Sequence, residues 1–120
     1  MANKRKEVRL VERNNVSIRP RLNDKRGVGI NAYTHDISLH GARVFTKELF
    51  DVGSHIKVQI ELAGTSELIN LEGEVKWLDV KKDEDLFELG IEFKHKISSG
   101  VLSLIKHIYQ QESKIPASVY

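Results

Sequence analysis

The sequence predicts an all-β chain, a six-stranded antiparallel barrel carrying one C-terminal helix. Three observations predict it. Apolar and polar residues alternate with a period of two across residues 16–93, the mark of half-buried strands. The links between alternating segments are short and rich in turn residues. Beyond residue 100 the apolar period changes to three and four, as in an amphipathic helix. Strands with one apolar face must cover it, and closure into a barrel does so while removing exposed edges.

Val16, Ile18, Pro20 and Leu22 share one face of the first strand, and Asn23-Asp24-Lys25-Arg26-Gly27 turns the chain. Val28, Ile30 and Ala32 form a second strand running on towards Asp36. Between residues 37 and 45 the phase slips: Ile37 and Leu39 are apolar at odd positions, Ala42 and Val44 at even ones. The slip falls at His40-Gly41 and requires a bulge or tight turn there. Gly41 suits it, being free to take positive φ or to let another backbone or a ligand approach. Asp36, Ser38 and His40 then project together, opposite Ile37 and Leu39.

Residues 56–62 alternate again, and Ala63-Gly64-Thr65-Ser66 reads as a hairpin turn. Ile69, Leu71, Val75 and Trp77 share a face of the next strand, which assigns Trp77 to the core. A charged loop at 81–85 precedes a last strand over 87–93. Val101, Leu102, Ile105, Ile108 and Tyr109 make the apolar face of the helix, Ser98 or Ser99 can cap it, and Pro116 marks where it has already ended. The expected organisation is a flexible basic arm over 1–15, a barrel over 16–95, a helix over 96–112 and a tail over 113–120.

A chain of 120 residues allows one ordinary domain. The absence of cysteine excludes disulfides, thiolate metal sites and a cysteine nucleophile. Apolar runs are too short to span a bilayer, and the N-terminus lacks the apolar stretch of a secretory signal; a cytoplasmic protein without membrane insertion is expected. The net charge of +2 hides an asymmetry. Residues 1–26 carry nine basic and three acidic side chains, whereas the rest carries ten and fourteen. A basic arm on an acidic body suits an anionic ligand.

Two constellations carry candidate chemistry. Arg5 and Arg9 are four apart, which puts both on one side of a helix (about 6 Å) or a strand (about 13 Å). Lys4 precedes them, and Arg9 and Arg13 repeat the spacing. Arginine binds phosphate bidentately, grips the guanine O6/N7 edge and stacks on purines. The second is Asp36-Ile37-Ser38-Leu39-His40-Gly41. An ionised Asp36 suits the N1–H and N2–H₂ donors of guanine, Ser38 donates or accepts, and Gly41 leaves room. Equally, Asp36 and Ser38 can bond the backbone of a turn.

The pair RxxxR, a gap of some two dozen residues, then DxSxxG within alternating strands resembles the PilZ domain. The resemblance continues through Gly53, Leu71-Glu72-Gly73-Glu74-Val75-Lys76-Trp77 and Glu88-Leu89-Gly90-Ile91-Glu92-Phe93. It implies a receptor for the bacterial second messenger cyclic di-GMP, with Arg5, Arg9, Asp36, Ser38 and Gly41 as binding residues. Lys4, Arg13, His40 and Trp77 are secondary candidates; Trp77 could stack on guanine from a barrel mouth. His40 departs from the glycine often found there. Leu10-Val11 after Arg9 favour the Arg5/Arg9 register. On this reading the arm folds over the ligand and signals to a protein effector of unknown identity.

Other classes fit less well. A single-stranded nucleic-acid-binding barrel needs a basic groove with stacking aromatics, but here the charge sits at the N-terminus and the aromatics at core-phase positions. No specific nucleic acid is expected. Asp36, Ser38 and a histidine do not line up as nucleophile, base and orienter, and His35, His40, His55, His95 and His107 lack zinc-ligand spacing. Neither an enzyme nor a metal site is expected. A ligand-free docking module would need neither motif. Arg19, Arg21 and Arg43 could extend the basic surface, but they read rather as solvated strand-face charges.

Overall fold

Six strands close into a ring. The computed structural model describes residues 8–20, 29–81, 85–94 and 99–119. Its elements are β1 (Arg9–Leu10), β2 (Asn15–Pro20), β3 (Ile30–Ser38), β4 (Gly41–Thr46), β5 (His55–Glu61), β6 (Leu68–Lys81), β7 (Leu86–Lys94) and α1 (Ser99–Val119). Strands β3, β2, β5, β6, β7 and β4 are bonded in that order, and β4 pairs back onto β3. The seventh strand, β1, lies along the end of β3 with Arg9 opposite Ser38 and Leu10 opposite Ile37. Lys4, Arg5, Arg21, Leu22, the 23–27 turn, Val28, most of the 81–85 loop, His95 and Ser98 lie outside the described residues.

The alternation fills the barrel as expected. Val16 and Ile18 of β2, Ile56, Val58 and Ile60 of β5, Ile69, Leu71 and Val75 of β6, and Leu89, Ile91 and Phe93 of β7 are all buried. Each fully buried aliphatic side chain contributes about 1.5–3 kcal/mol relative to exposure. The 63–66 turn closes the β5–β6 hairpin with Gly64 at φ 87°, and the Leu62 N–H bonds the Glu67 carbonyl at 2.8 Å.

Two bulges interrupt this regularity. The β3–β4 register passes from Thr34↔Val44 to Asp36↔Arg43, leaving His35 extra. The β6–β7 register passes from Val75↔Ile91 to Trp77↔Gly90, leaving Lys76 extra. An extra residue reverses which face the following side chains occupy. Trp77 is therefore not a core residue: it turns outward and is 41% exposed.

The root of the arm departs from the expected free segment. Val8 and Leu10 pack against the core, and a buried polar knot holds residues 12–14 to the barrel. The Asn14 N–H donates to Thr34 Oγ1 at 2.8 Å, and Thr34 Oγ1 donates to the Glu12 carbonyl at 2.8 Å. Asn14 Oδ1 accepts from the Ala63 N–H at 2.7 Å. Facing a carboxylate, His107 Nε2 donates to Glu12 Oε1 at 2.7 Å, tying the knot to α1.

The helix also differs from its expected form. Its buried stripe is Gly100, Leu104, His107 and Ile108, while Leu102 and Tyr109 are exposed. Gly100 rotates the contact face, because a Cβ there would stand 2.5 Å from the Asn70 carbonyl oxygen. The helix starts at Ser99 and runs past Pro116 to Val119. Proline forgoes one backbone bond, a loss confined to the last turn because only three helical residues lie beyond it.

Candidate functional site

The site is built from the outer wall of the barrel where β3, β4, β6 and β7 meet the root of the arm. A two-residue connection, Leu39-His40, joins β3 to β4, so Ile37 faces Ala42 and Asp36 faces Arg43. Ser38 is fully buried beneath the connection. Its hydroxyl oxygen accepts the N–H groups of His40 at 3.2 Å and Gly41 at 3.3 Å, and its proton reaches the Gly41 carbonyl at 3.3 Å. Gly41 takes no positive φ; among the described residues the positive-φ glycines are Gly53 and Gly64. Its hydrogen side chain is needed for barrel closure, since a Cβ would lie 2.3 Å from the Ile91 carbonyl oxygen. Ser38 and Gly41 thus shape the hairpin.

Asp36 is 1% exposed yet ionised. Arg9 Nη1 donates to Oδ1 at 2.6 Å, because pairing with Ser38 brings Arg9 over the carboxylate. Arg43 donates to Oδ2 from Nε at 2.8 Å and Nη2 at 2.5 Å. Burial pushes the Asp36 carboxyl up, but the hydrogen bonds from Arg43 and then Arg9 outweigh it and hold it below the ordinary carboxylate value. His35 Nδ1 stands 3.3 Å from Oδ2 and 3.1 Å from Arg43 Nη2.

Across from this pair the β6 bulge sets the indole of Trp77 over Gly90. A Cβ at residue 90 would lie 2.1 Å from Trp77 Nε1, so glycine there is what lets the ring lie against the wall. Between the two sides runs an open cleft of about 340 Å³, lined by Arg9, Asp36, His40, Arg43, Lys76, Trp77 and Glu92 with Gly41 and Gly90 in its floor. It offers three cations, a flat aromatic surface and a buried acceptor.

Of the residues expected from sequence, Arg9, Asp36, Gly41, His40 and Trp77 come together around this cleft. Ser38 supports it from below. Arg13 stands elsewhere, its guanidinium 4.0 Å over the Tyr33 ring; Lys4 and Arg5 lie outside the described residues. Arg43, Lys76 and Gly90 were not expected. Arg43 had a legible signal, because a two-residue connection at 39–40 necessarily places residue 43 opposite residue 36.

The sequence matches the PilZ domain over residues 3–111. The chain belongs to the PilZ family. PilZ domains are cyclic di-GMP receptors rather than enzymes. No curated protein matches the sequence. Among solved structures, the chain is similar to the Bacillus subtilis inhibitor of motility MotI/DgrA at 17% identity and TM-score 0.73, covering 94% of this chain and 53% of that one. It is similar to Escherichia coli YcgR in complex with c-di-GMP at 11% identity and TM-score 0.73, covering 97% and 49%. The isolated PilZ domain of YcgR with c-di-GMP gives 10% identity, TM-score 0.68 and 98% of both chains. The chain therefore spans about half the length of the first two proteins. At these identities the likeness establishes the fold, a PilZ barrel with one added strand. No helix among the described residues is long and apolar enough to cross a membrane, and no three potential ligands cluster there as a metal site would require.

Proposed function

We propose that this PilZ chain is a cytoplasmic cyclic di-GMP receptor that holds the dinucleotide in the cleft between Arg9, Asp36 and Trp77. The observation that carries the reading is the joining of a cationic arm root, an ionised acceptor and an exposed indole around one opening. Arg5 and Arg9 take the phosphates and a guanine edge. Asp36 Oδ1, which accepts one bond from Arg9, has a second lone pair for guanine N–H donors. Trp77 supplies the stacking face, and Ser38 and Gly41 hold the hairpin. His40 lines the cleft, and Lys4 is a further candidate for the phosphates. The position of Arg13 on Tyr33 supports the Arg5/Arg9 register. Ligand entry exchanges the contact of Arg9 with Asp36 for one with phosphate, moving the arm ahead of the knot at residues 12–14, and a protein effector reads that movement.

Calorimetric titration with cyclic di-GMP tests this. Wild type binds in the micromolar range or tighter, and Arg9→Ala weakens binding by about ten- to a hundredfold, the worth of a charge-assisted hydrogen bond. Arg9→Ala lowers the melting temperature only modestly, because Arg43 still compensates Asp36. A flat wild-type titration overturns the proposal, and so does tighter binding of a single-stranded oligonucleotide at physiological salt.

A further inference from the structure

Arg9 and Arg43 share one buried carboxylate, although one guanidinium would suffice to neutralise it. The two are held differently. Arg9 reaches Asp36 from the root of the arm through one nitrogen, on Oδ1. Arg43 grips Oδ2 through two nitrogens from the barrel strand β4. Behind it, Glu88 of β7 is itself buried and faces Arg43 Nη1 at 3.7 Å. Lys81 Nζ, 3.2 Å from Glu88 Oε1, completes a row of alternating charge along the wall.

We infer that Arg43 is a positioning residue that lets the arm release Asp36: it keeps the carboxylate oriented and compensated when Arg9 leaves for the ligand. This rests on the cleft being the cyclic di-GMP site. The physical reason is the cost of stranding a buried ion, which far exceeds the worth of the pair that protected it. With Arg43 in place, Arg9 can depart and Asp36 remains bonded on Oδ2, its Oδ1 edge free to face an incoming donor. Without Arg43, Arg9 becomes the one guanidinium on Asp36, with His35 Nδ1 3.3 Å from Oδ2 beside it, and is locked onto the carboxylate, so ligand binding must break that lock. Arg43 thus acts on affinity through Asp36 and the mobility of Arg9, with Glu88 fixing its guanidinium from the far side.

The test is a double-mutant cycle read in two ways. In thermal melts without ligand, Arg9→Met and Arg43→Met each lower the melting temperature modestly, and the double variant lowers it by clearly more than their sum, because only then does Asp36 lose both guanidiniums and keep His35 alone beside it. In the Asp36→Asn background that excess disappears. In titrations with cyclic di-GMP, Arg43→Met weakens binding about tenfold, and Arg43→Lys, which restores a cation, recovers most of the loss. Arg43→Lys also serves where the methionine variant folds poorly. Additive melting shifts, or wild-type affinity in Arg43→Met, overturn the inference. If wild type itself does not bind, the functional reading fails, and the melts decide by themselves whether Arg43 is the second counter-ion.

Discussion

Gly90→Ala moves one methyl group into the wall of the cleft, and its effect can be worked out from the structure. The added carbon would stand 2.1, 2.2 and 2.7 Å from Nε1, Cε2 and Cδ1 of Trp77. Carbon contacts are comfortable at about 3.5–4.0 Å, so the indole must retreat by more than about 1 Å. It can do so, since it is 41% exposed and its outer side meets solvent. The cost to folding is then small, about 1–2 kcal/mol. The cost to binding is larger. Loss of one base–aromatic stack is worth about 1–3 kcal/mol, an affinity loss of about 5- to 150-fold. Trp77 is the chain's one tryptophan, so its fluorescence reports the displacement directly: emission in Gly90→Ala shifts to the red, and cyclic di-GMP no longer quenches it. In a Trp77→Ala background, Gly90→Ala has no further effect on affinity. Wild-type affinity together with unchanged emission in Gly90→Ala would refute the reasoning that the β6 bulge builds a stacking platform.

Three further predictions concern the frame and its charges. Ser38→Ala removes the acceptor of two backbone N–H groups and lowers stability by about 1–3 kcal/mol in urea titration; an affinity loss at unchanged stability would instead place the hydroxyl on the ligand. Asp36, held below its ordinary value, stabilises the fold fully above the unfolded carboxylate pKa and loses that contribution as pH falls through its lower native one. The melting-temperature gap between wild type and Asp36→Asn is therefore constant from about pH 7 to 5 and narrows below about pH 4; a gap still constant at pH 3 would contradict the ion-pair account. Leu104→Ala, at a fully buried position on α1, costs about 2–5 kcal/mol yet leaves affinity unchanged in the folded protein. A binding defect there would tie the helix to the cleft.

The barrel was legible because each strand buries one face, so Ile56, Val58 and Ile60 announce their strand without reference to any neighbour. Bulges are different. Whether Lys76 is an extra residue depends on how β6 pairs with β7, and a single strand read alone carries no record of its partner's register. That is why Trp77, in phase with Val75 on paper, turns out to face the cleft. The helix face was misread for a related reason: Gly100 contributes no apolar side chain to the pattern, yet its closeness to Asn70 sets the rotation of α1. At the site, Asp36 and Ser38 were visible by residue type, but their division of labour was not. The serine is spent on the hairpin, while the aspartate is held by two arginines, one of which resembled ordinary surface charge.

The knot at Asn14 has a mechanical consequence. Its bonds reach β3 through Thr34 and the β5–β6 connection through Ala63, and Glu12 beside it is latched to α1 by His107. If the ligand displaces Arg9 as proposed, the movement would stop at this point, and only the residues ahead of it would swing about a fulcrum anchored in the body. Arg9 lies three residues from the latched Glu12, a lever of about 10 Å when extended. A rotation there would carry Arg9 through an arc whose radius the Glu12 latch sets.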